Sequence, residues 1–337
     1  MANISIIGAG TWGVALAKVL HDNGNNVCIW SALPAEIDEL MQTHKQKNLP
    51  GFVLADDITL TKELKEAVEG RDVLVLSVAS PYTRKTAARL REYVKEGQII
   101  VSVAKGIEEG TMKTLSEQVE EEIPQAKVCV LSGPSHAEEV SIGLPTTVVV
   151  GSHSRSLAKY VADLFSNTFF RVYISPDMKG IELGAALKNV IALAAGMADG
   201  MGFGDNAKAA IITRGIVELT RLGIAMGGYE KTFSGLTGTG DLIVTCASMH
   251  SRNRRAGILI GQGKTCEEAM AEVKMVVEGV YSAKAALQLA RKYNVEMPIV
   301  EGVNQVLFEH RPIMDVFVEL MRREMRSEIG EEKWESE

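Results

Sequence analysis

Gly8, Gly10 and Gly13 form the pattern G-x-G-x-x-G directly after a strand-like run, "NISII", and ahead of a helix-like one. Each glycine has a separate use in cradling a dinucleotide. The first permits a tight turn, the second lets backbone approach a pyrophosphate, and the third lets helix and strand pack closely. The helix N-terminus that follows favours an anion. A glycine turn packed against nothing is the plainer alternative.

The second chemical feature is a pair of polar residues, Lys188 and Asn189, inside the small and apolar stretch "GAALKNVIALAAG". Helical spacing places Ile181, Gly184, Ala185, Ile191, Ala192, Ala195 and Asp199 on one broad face around Lys188. That face suits either a close helix–helix seam or the wall of a pocket into which one amine points. Lys105 and Gly106 follow a buried strand, at the end of a sheet where open α/β folds place ligands. A cation there could hold a phosphate or carbonyl oxygen, or be a surface lysine. In "SGPSHAEEV", Gly133 and Pro134 shape a turn and Ser135 is placed to cap the next helix, or to face a ligand. His136 is a candidate base or metal ligand. No metal-binding spacing accompanies it, so a structural role is preferred and no metal is expected.

Asp241 lies in "LTGTGDLIVTC". Ser251 is placed to cap a helix that begins with Arg252 and Asn253, which makes either a phosphate pocket or a solvated basic helix. Arg254 and Arg255 read as surface charge, and Gly202 and Gly204 as a turn between helices. After the second strand, where an NAD site often has an acid for the ribose hydroxyls, stand Ser31 and Ala32. No Arg or Lys takes the acid's place, and Glu36 is read as too far along the chain. Both NADH and NADPH are therefore expected to serve.

These residues need a scaffold. Strand-like runs at "NNVCIW", "DVLVLSV", "QIIVSVA", "KVCVLS", "TTVVVG" and "FFRVYI" alternate with helical segments to about residue 175, which predicts a mostly parallel sheet. Beyond Pro176 the periodicity is helical, over roughly 177–200, 205–225, 252–261, 265–273, 278–293, 298–308 and 312–322. The expected organisation is an α/β Rossmann-type domain over 1–180, an all-α substrate and catalytic domain over 181–325, and a charged tail over 326–337.

With 337 residues, 46% of them hydrophobic, the chain can bury two cores. A net charge of −7 argues against general nucleic-acid binding. The four cysteines form no close pair, which suits a reducing, cytoplasmic setting. No basic targeting segment precedes the first strand, and the apolar run "VIALAAGMA" is too short to span a bilayer. No integral membrane association is expected.

Taken together, "IIGAGTWGVALA", "VSVAKGIEEGT", "LSGPSHAEEV", "ELGAALKNVIALAAG", "TFSGLTGTGDLIVTC", "SRNRRAG" and "VVEGVYSA" span most of the chain. In this order they resemble the bacterial-type soluble NAD(P)-dependent glycerol-3-phosphate dehydrogenases. The resemblance implies a Rossmann-type domain followed by a helical domain of the 6-phosphogluconate-dehydrogenase-like kind. It implies reversible oxidation of sn-glycerol 3-phosphate to dihydroxyacetone phosphate with NADPH or NADH, supplying glycerol 3-phosphate for phospholipid synthesis. It also implies a homodimer. By the same resemblance Lys188 is the catalytic base, and the small residues around it leave room for substrate and nicotinamide. Substrate contacts fall on Lys105, Gly133, Ser135, Lys188, Asp241, Ser251, Arg252 and Asn253. Cofactor contacts fall on Gly8, Gly10, Thr11, Trp12, Gly13, Ser31, Lys105, Ala137, Arg252, Val276 and Glu278. Many members carry a basic residue near Ser31 or Ala32 for the phosphate of NADP, and this chain does not. A carboxylate-binding β-hydroxyacid or opine-type dehydrogenase, and a non-enzymatic dinucleotide sensor, are the rival readings.

Overall fold

Val73–Leu76 is apolar at every position and Asn3–Ile7 is buried at all but its first, as befits strands covered on both faces. In the computed structural model, which describes residues 1–324 and Glu328, they lie at the middle of an eight-stranded sheet. The strands are β1 (Asn3–Ile7), β2 (Asn26–Trp30), β3 (Thr59–Thr61), β4 (Val73–Leu76), β5 (Ile99–Ser102), β6 (Lys127–Ser132), β7 (Thr146–Gly151) and β8 (Phe170–Ser175). Their spatial order is β3-β2-β1-β4-β5-β6-β7-β8. All pairs are parallel except β6–β7. Pleating sends Ile4 and Ile6 into the core on one face, with Leu16, Leu20 and Phe165. Ile7 enters the core on the other face, with Leu74, Leu90 and Val119.

The chain leaves β1 towards β2 and β3, then returns to β4 on β1's other side. The crevice between the carboxyl ends of β1 and β4 is therefore a topological switch point, where such sheets bind ligands. All seven strands expected from sequence are present. The eighth, β3, is three residues of "TLT", too short and polar to stand out.

The chain passes from Ser175 to the next helix without a flexible linker. Asp177 caps the helix Met178–Gly200, accepting the Gly180 N–H at 2.8 Å. Its other oxygen accepts the Tyr229 N–H at 2.8 Å and the Thr232 hydroxyl at 2.6 Å. Met178–Gly200 is long and apolar enough to cross a membrane, but 94% of its apolar window is buried among the helices around it. The helices of this half include Gly204–Ala225, Arg252–Gly261, Cys266–Val273, Glu278–Lys292, Pro298–Phe308 and Ile313–Met321, close to the expected segments. A π-helical turn, Leu236–Gly240, leading into the helix Asp241–Ala247 was not expected from periodicity. The tail 326–337 lies outside the described residues except for Glu328.

Candidate active site

The three glycines of the first loop play three different steric parts. A Cβ on Gly13 would lie 2.3 Å from the Gly8 carbonyl oxygen and 2.4 Å from Ser77 Oγ, so helix and strand touch there. Gly8 takes φ +124°, and its Cβ would press at 3.0 Å on the Ser77–Val78 backbone that follows β4. Gly10 has nothing within 4 Å of its Cβ position. It is the N-cap of the helix Thr11–Asp22, and no side chain there caps the helix's first N–H groups. The indole N–H of Trp12 is buried and without a partner among the described residues. An anion-binding cradle with an unused donor beside it fits a dinucleotide pyrophosphate. Ala137 begins the short helix Ala137–Ser141, which packs on Thr11–Asp22, and Val276 lies just ahead of the helix Glu278–Lys292.

Across the crevice, Asp241 bridges two lysines. Its Oδ2 accepts Lys105 Nζ at 2.8 Å and its Oδ1 meets Lys188 Nζ at 2.9 Å. Lys105 also donates to the Gly133 carbonyl at 2.9 Å. Lys188 also donates to Thr245 Oγ1 at 2.6 Å, and that hydroxyl donates to the Asp241 carbonyl at 2.6 Å. Lys105 comes from the loop after β5, Gly133 from the loop after β6, and the other three from two helices of the carboxyl-terminal half. Lys188 and Asp241 are buried, 4% and 1% exposed.

The electrostatics follow from this packing. Burial disfavours the Lys188 ammonium and Lys105 adds repulsion. Asp241 offsets only part of this, so the amine is pushed down to about 8. Burial alone would raise the Asp241 carboxyl, but Lys105 and Lys188 outweigh it and hold the group below its ordinary value. Burial, reinforced by Lys188 and Lys105, pushes His136 down to about 4 and keeps its imidazole neutral. Glu278 is raised by burial against the pull of Arg252, Lys188 and Lys105, and the Ser80 N–H from the loop after β4 bonds to it. A carboxylate from the helical half thus touches the sheet half at the mouth of the crevice.

Several residues sit otherwise than expected. Ser135 does not cap the following helix. Its hydroxyl donates to the Gly133 carbonyl at 2.9 Å, and His136 is the N-cap residue. Ser251 does cap its helix, accepting the Arg254 N–H at 3.2 Å. Arg252 is half-buried, but Asn253 is buried and engaged: it donates to Asn189 Oδ1 at 2.9 Å and accepts the Gly279 N–H at 2.8 Å. Arg254 is not solvated surface charge, because it pairs with Asp199 through Nε at 2.8 Å and Nη2 at 2.7 Å. Arg255 is likewise half-buried. Three glycines of the helix Met178–Gly200 sit in close backbone contact with their neighbours. A Cβ on Gly184 would lie 2.7 Å from the Thr237 carbonyl oxygen. Gly196 and Gly200 face Gly257 and Gly261, with the added Cβ atoms 2.9 Å from the opposing Cα atoms. Gly196 and Gly200 thus form a helix–helix seam with Gly257 and Gly261.

At the end of β2, Glu36 comes closer to Ser31 than its place along the chain suggests. Ser31 directly follows Trp30, whose carbonyl accepts the Gly8 N–H at 2.8 Å. The Ser31 hydroxyl donates to Glu36 Oε2 at 2.6 Å, so the first turn of the helix Pro34–Thr43 brings an acid back to the end of β2. Thr245 and Asn189 were the polar residues of the cluster left without a role by the sequence. Thr245 could have been found from its i+4 spacing to Asp241 on one helix face.

The sequence matches the family profile described as NAD-dependent glycerol-3-phosphate dehydrogenase N-terminus over residues 3–158, and that described as the C-terminus of the same enzyme over 177–318. It is 58% identical to a glycerol-3-phosphate dehydrogenase of Fusobacterium nucleatum whose name specifies NAD(P)+, over 98% of this chain and 99% of that one. It is 49% identical to the one so named from Bacillus subtilis, over 96% and 95% of the two chains. The crystal structure of glycerol-3-phosphate dehydrogenase from Coxiella burnetii superposes with a TM-score of 0.92 at 35% identity, covering 96% of this chain and 99% of that one.

Proposed function

The chain belongs to the NAD-dependent glycerol-3-phosphate dehydrogenase family, and from that premise we propose that Lys188 is the proton-transfer group of a site shared between its two halves. The reaction is the reversible, NAD(P)-dependent oxidation of sn-glycerol 3-phosphate to dihydroxyacetone phosphate. The bound nicotinamide supplies or accepts the hydride at substrate C2. Gly8, Gly10, Thr11, Trp12 and Gly13 hold the pyrophosphate region. Ser31, Lys105, Ala137, Arg252, Val276 and Glu278 complete the cofactor's surroundings. Lys105, Gly133, Ser135, Asp241, Ser251, Arg252 and Asn253 surround the substrate, Asn253 chiefly by holding Asn189 and Gly279 in place. We assign residues 1–180 to dinucleotide binding and 181–325 to substrate binding and catalysis. The setting we assign is cytoplasmic, with a homodimer supplying glycerol 3-phosphate to phospholipid synthesis.

The observation that carries the chemistry is the buried Lys188 held between Asp241 and Thr245. In oxidation its neutral Nζ takes the C2 hydroxyl proton, and in reduction the ammonium returns it to the C2 oxygen. Lys105 polarises that oxygen, and Asp241 keeps the two amines from turning away. The direct test is loss of absorbance at 340 nm with dihydroxyacetone phosphate and either reduced cofactor. Folded protein that binds dinucleotide but gives no turnover would defeat the reading.

Two further outcomes are expected. With Lys188 near 8, reduction draws on the protonated form present below that pH. Its kcat/KM should therefore fall as pH rises through about 8, while that of oxidation rises through the same range. Profiles sloping the same way in both directions would remove Lys188 from the proton's path. Arg252→Ala should weaken substrate binding more than folding. A charge-assisted hydrogen bond contributes about 1.5–3 kcal/mol, or roughly 10- to 150-fold in apparent affinity. Equal KM for dihydroxyacetone phosphate in variant and parent would return Arg252 to a purely electrostatic part beside Glu278.

A further inference from the structure

The hydrogen bond between Ser31 and Glu36 bears on which dinucleotide the enzyme takes. We propose that Glu36 is the residue that reads the adenosine ribose and makes the enzyme prefer NADH over NADPH. The inference rests on the dinucleotide-binding part of the function proposed above.

The site is fixed by backbone on both sides. Gly8 N–H to Trp30 O, at 2.8 Å, ties the glycine loop to the end of β2, and Ser31 is the next residue. Ser31 is 5% exposed. Its Oγ accepts the Leu33 N–H at 3.1 Å and donates its only proton to Glu36 Oε2 at 2.6 Å. The hydroxyl therefore has no proton left for a 2′-phosphate. Glu36 is half-exposed, and Oε1 has no protein partner among the described residues. A carboxylate with a free oxygen beside the end of β2 accepts a hydrogen bond from a ribose hydroxyl, and such bonds to an ionised acceptor are strong. The same carboxylate repels a phosphate ester at that position.

Nothing on the adjoining elements neutralises the acid. Lys62, in the segment after β3, pairs with Asp38. Arg89, on the helix Thr83–Leu90, stacks over the Trp30 ring with its guanidinium carbon 5.1 Å from the centroid. Ala32 is exposed and carries no charge. A cation five positions after Ser31 would make the opposite site. The acid arrives from the next helix instead of from the strand end, and the intervening turn Ser31–Leu33 folds it back.

The test measures dissociation constants for NADH and NADPH by nicotinamide fluorescence, and kcat/KM for each with dihydroxyacetone phosphate. Wild-type protein is expected to favour NADH by about tenfold or more in both measurements. Glu36→Gln removes the charge but can still accept from Ser31. It should weaken NADH, strengthen NADPH and narrow the ratio at least several-fold, with KM for dihydroxyacetone phosphate unchanged. Glu36→Ala is a second variant, removing the acceptor as well, and should narrow the ratio at least as far. Equal affinities in the wild type, a preference for NADPH, or an unchanged ratio in the variants would each overturn the proposal. The titrations do not depend on turnover. Selective NADH binding without reduction of dihydroxyacetone phosphate would defeat the reaction assigned above and leave Glu36's role standing.

Discussion

Lys188→Ala should lower kcat at least a hundredfold while NADH still binds with near-normal affinity. General acid–base assistance accounts for roughly 10²–10⁴ in rate, and no other amine is placed to replace Lys188. Lys105 lies on the opposite carboxylate oxygen of Asp241 and is committed to the Gly133 carbonyl. The structure also explains why the variant should fold. Asp241 keeps its 2.8 Å contact with Lys105, so no buried carboxylate is left unpaired, and Thr245 still donates to the Asp241 carbonyl. Alanine is the best helix former, and its helix is buried along nearly its whole length. The measurement pairs an NADH titration with steady-state kinetics on one preparation. A variant retaining more than half of the parental kcat would rule out the assignment.

The second large effect is on stability, and its sign is diagnostic. In an exposed helix Gly→Ala stabilises by up to about 1 kcal/mol. Gly257→Ala should instead destabilise by about 2–4 kcal/mol, at or beyond the usual cost of overpacking a core. The new Cβ would lie 2.3 Å from the Leu193 carbonyl oxygen and 2.9 Å from Gly196 Cα. Those are backbone atoms of another buried helix, so no side chain can swing away. Gly261, one turn on, meets Met197 O and Gly200 Cα in the same way. Denaturant midpoints of the two proteins decide the matter. A midpoint at or above the parent's would mean that the two helices slide apart without cost.

Most of the scaffold was legible because its signals are local. Buried parallel strands are nearly uniform apolar runs, and a glycine loop between a strand and a helix is a contiguous pattern. The three residues of β3 carry no such signal, and neither does the π-helical turn before Asp241, where threonines and glycines suit a loop equally well. Within the site, the residue types of Lys105, Lys188 and Asp241 were visible. That one carboxylate holds both amines was not, because 136 positions separate Lys105 from Asp241 and only the fold joins them. Glu36 was discounted on linear distance, which a three-residue turn undoes. Arg254 looked like surface charge because its partner, Asp199, lies on another helix. The face around Lys188 was ambiguous between seam and pocket because small residues serve both. The sequence does show Gly-x-x-x-Gly at 196–200 and at 257–261, among other places, and these two instances are where two helices meet backbone to backbone.

In the site proposed above, the bridging of two lysines by Asp241 would also couple substrate binding to proton uptake. Lys188 titrates near 8 because burial and Lys105 oppose its charge more than Asp241 supports it. If the substrate's phosphate dianion enters beside Lys105 and Arg252, as proposed, it adds negative potential next to that amine and shifts its titration upward. Near that pH, unliganded protein holds a fraction of a proton on Nζ, and the complex holds more. Arrival of dihydroxyacetone phosphate would therefore draw a proton from solvent before hydride transfer, which a comparison of binding in buffers of different ionisation enthalpy tests. The ketone would thus charge the acid that reduces it, and transfer of that proton to the C2 oxygen leaves the amine neutral before the alcohol phosphate departs. One carboxylate shared by two amines thus makes ligand occupancy and acid strength a single equilibrium.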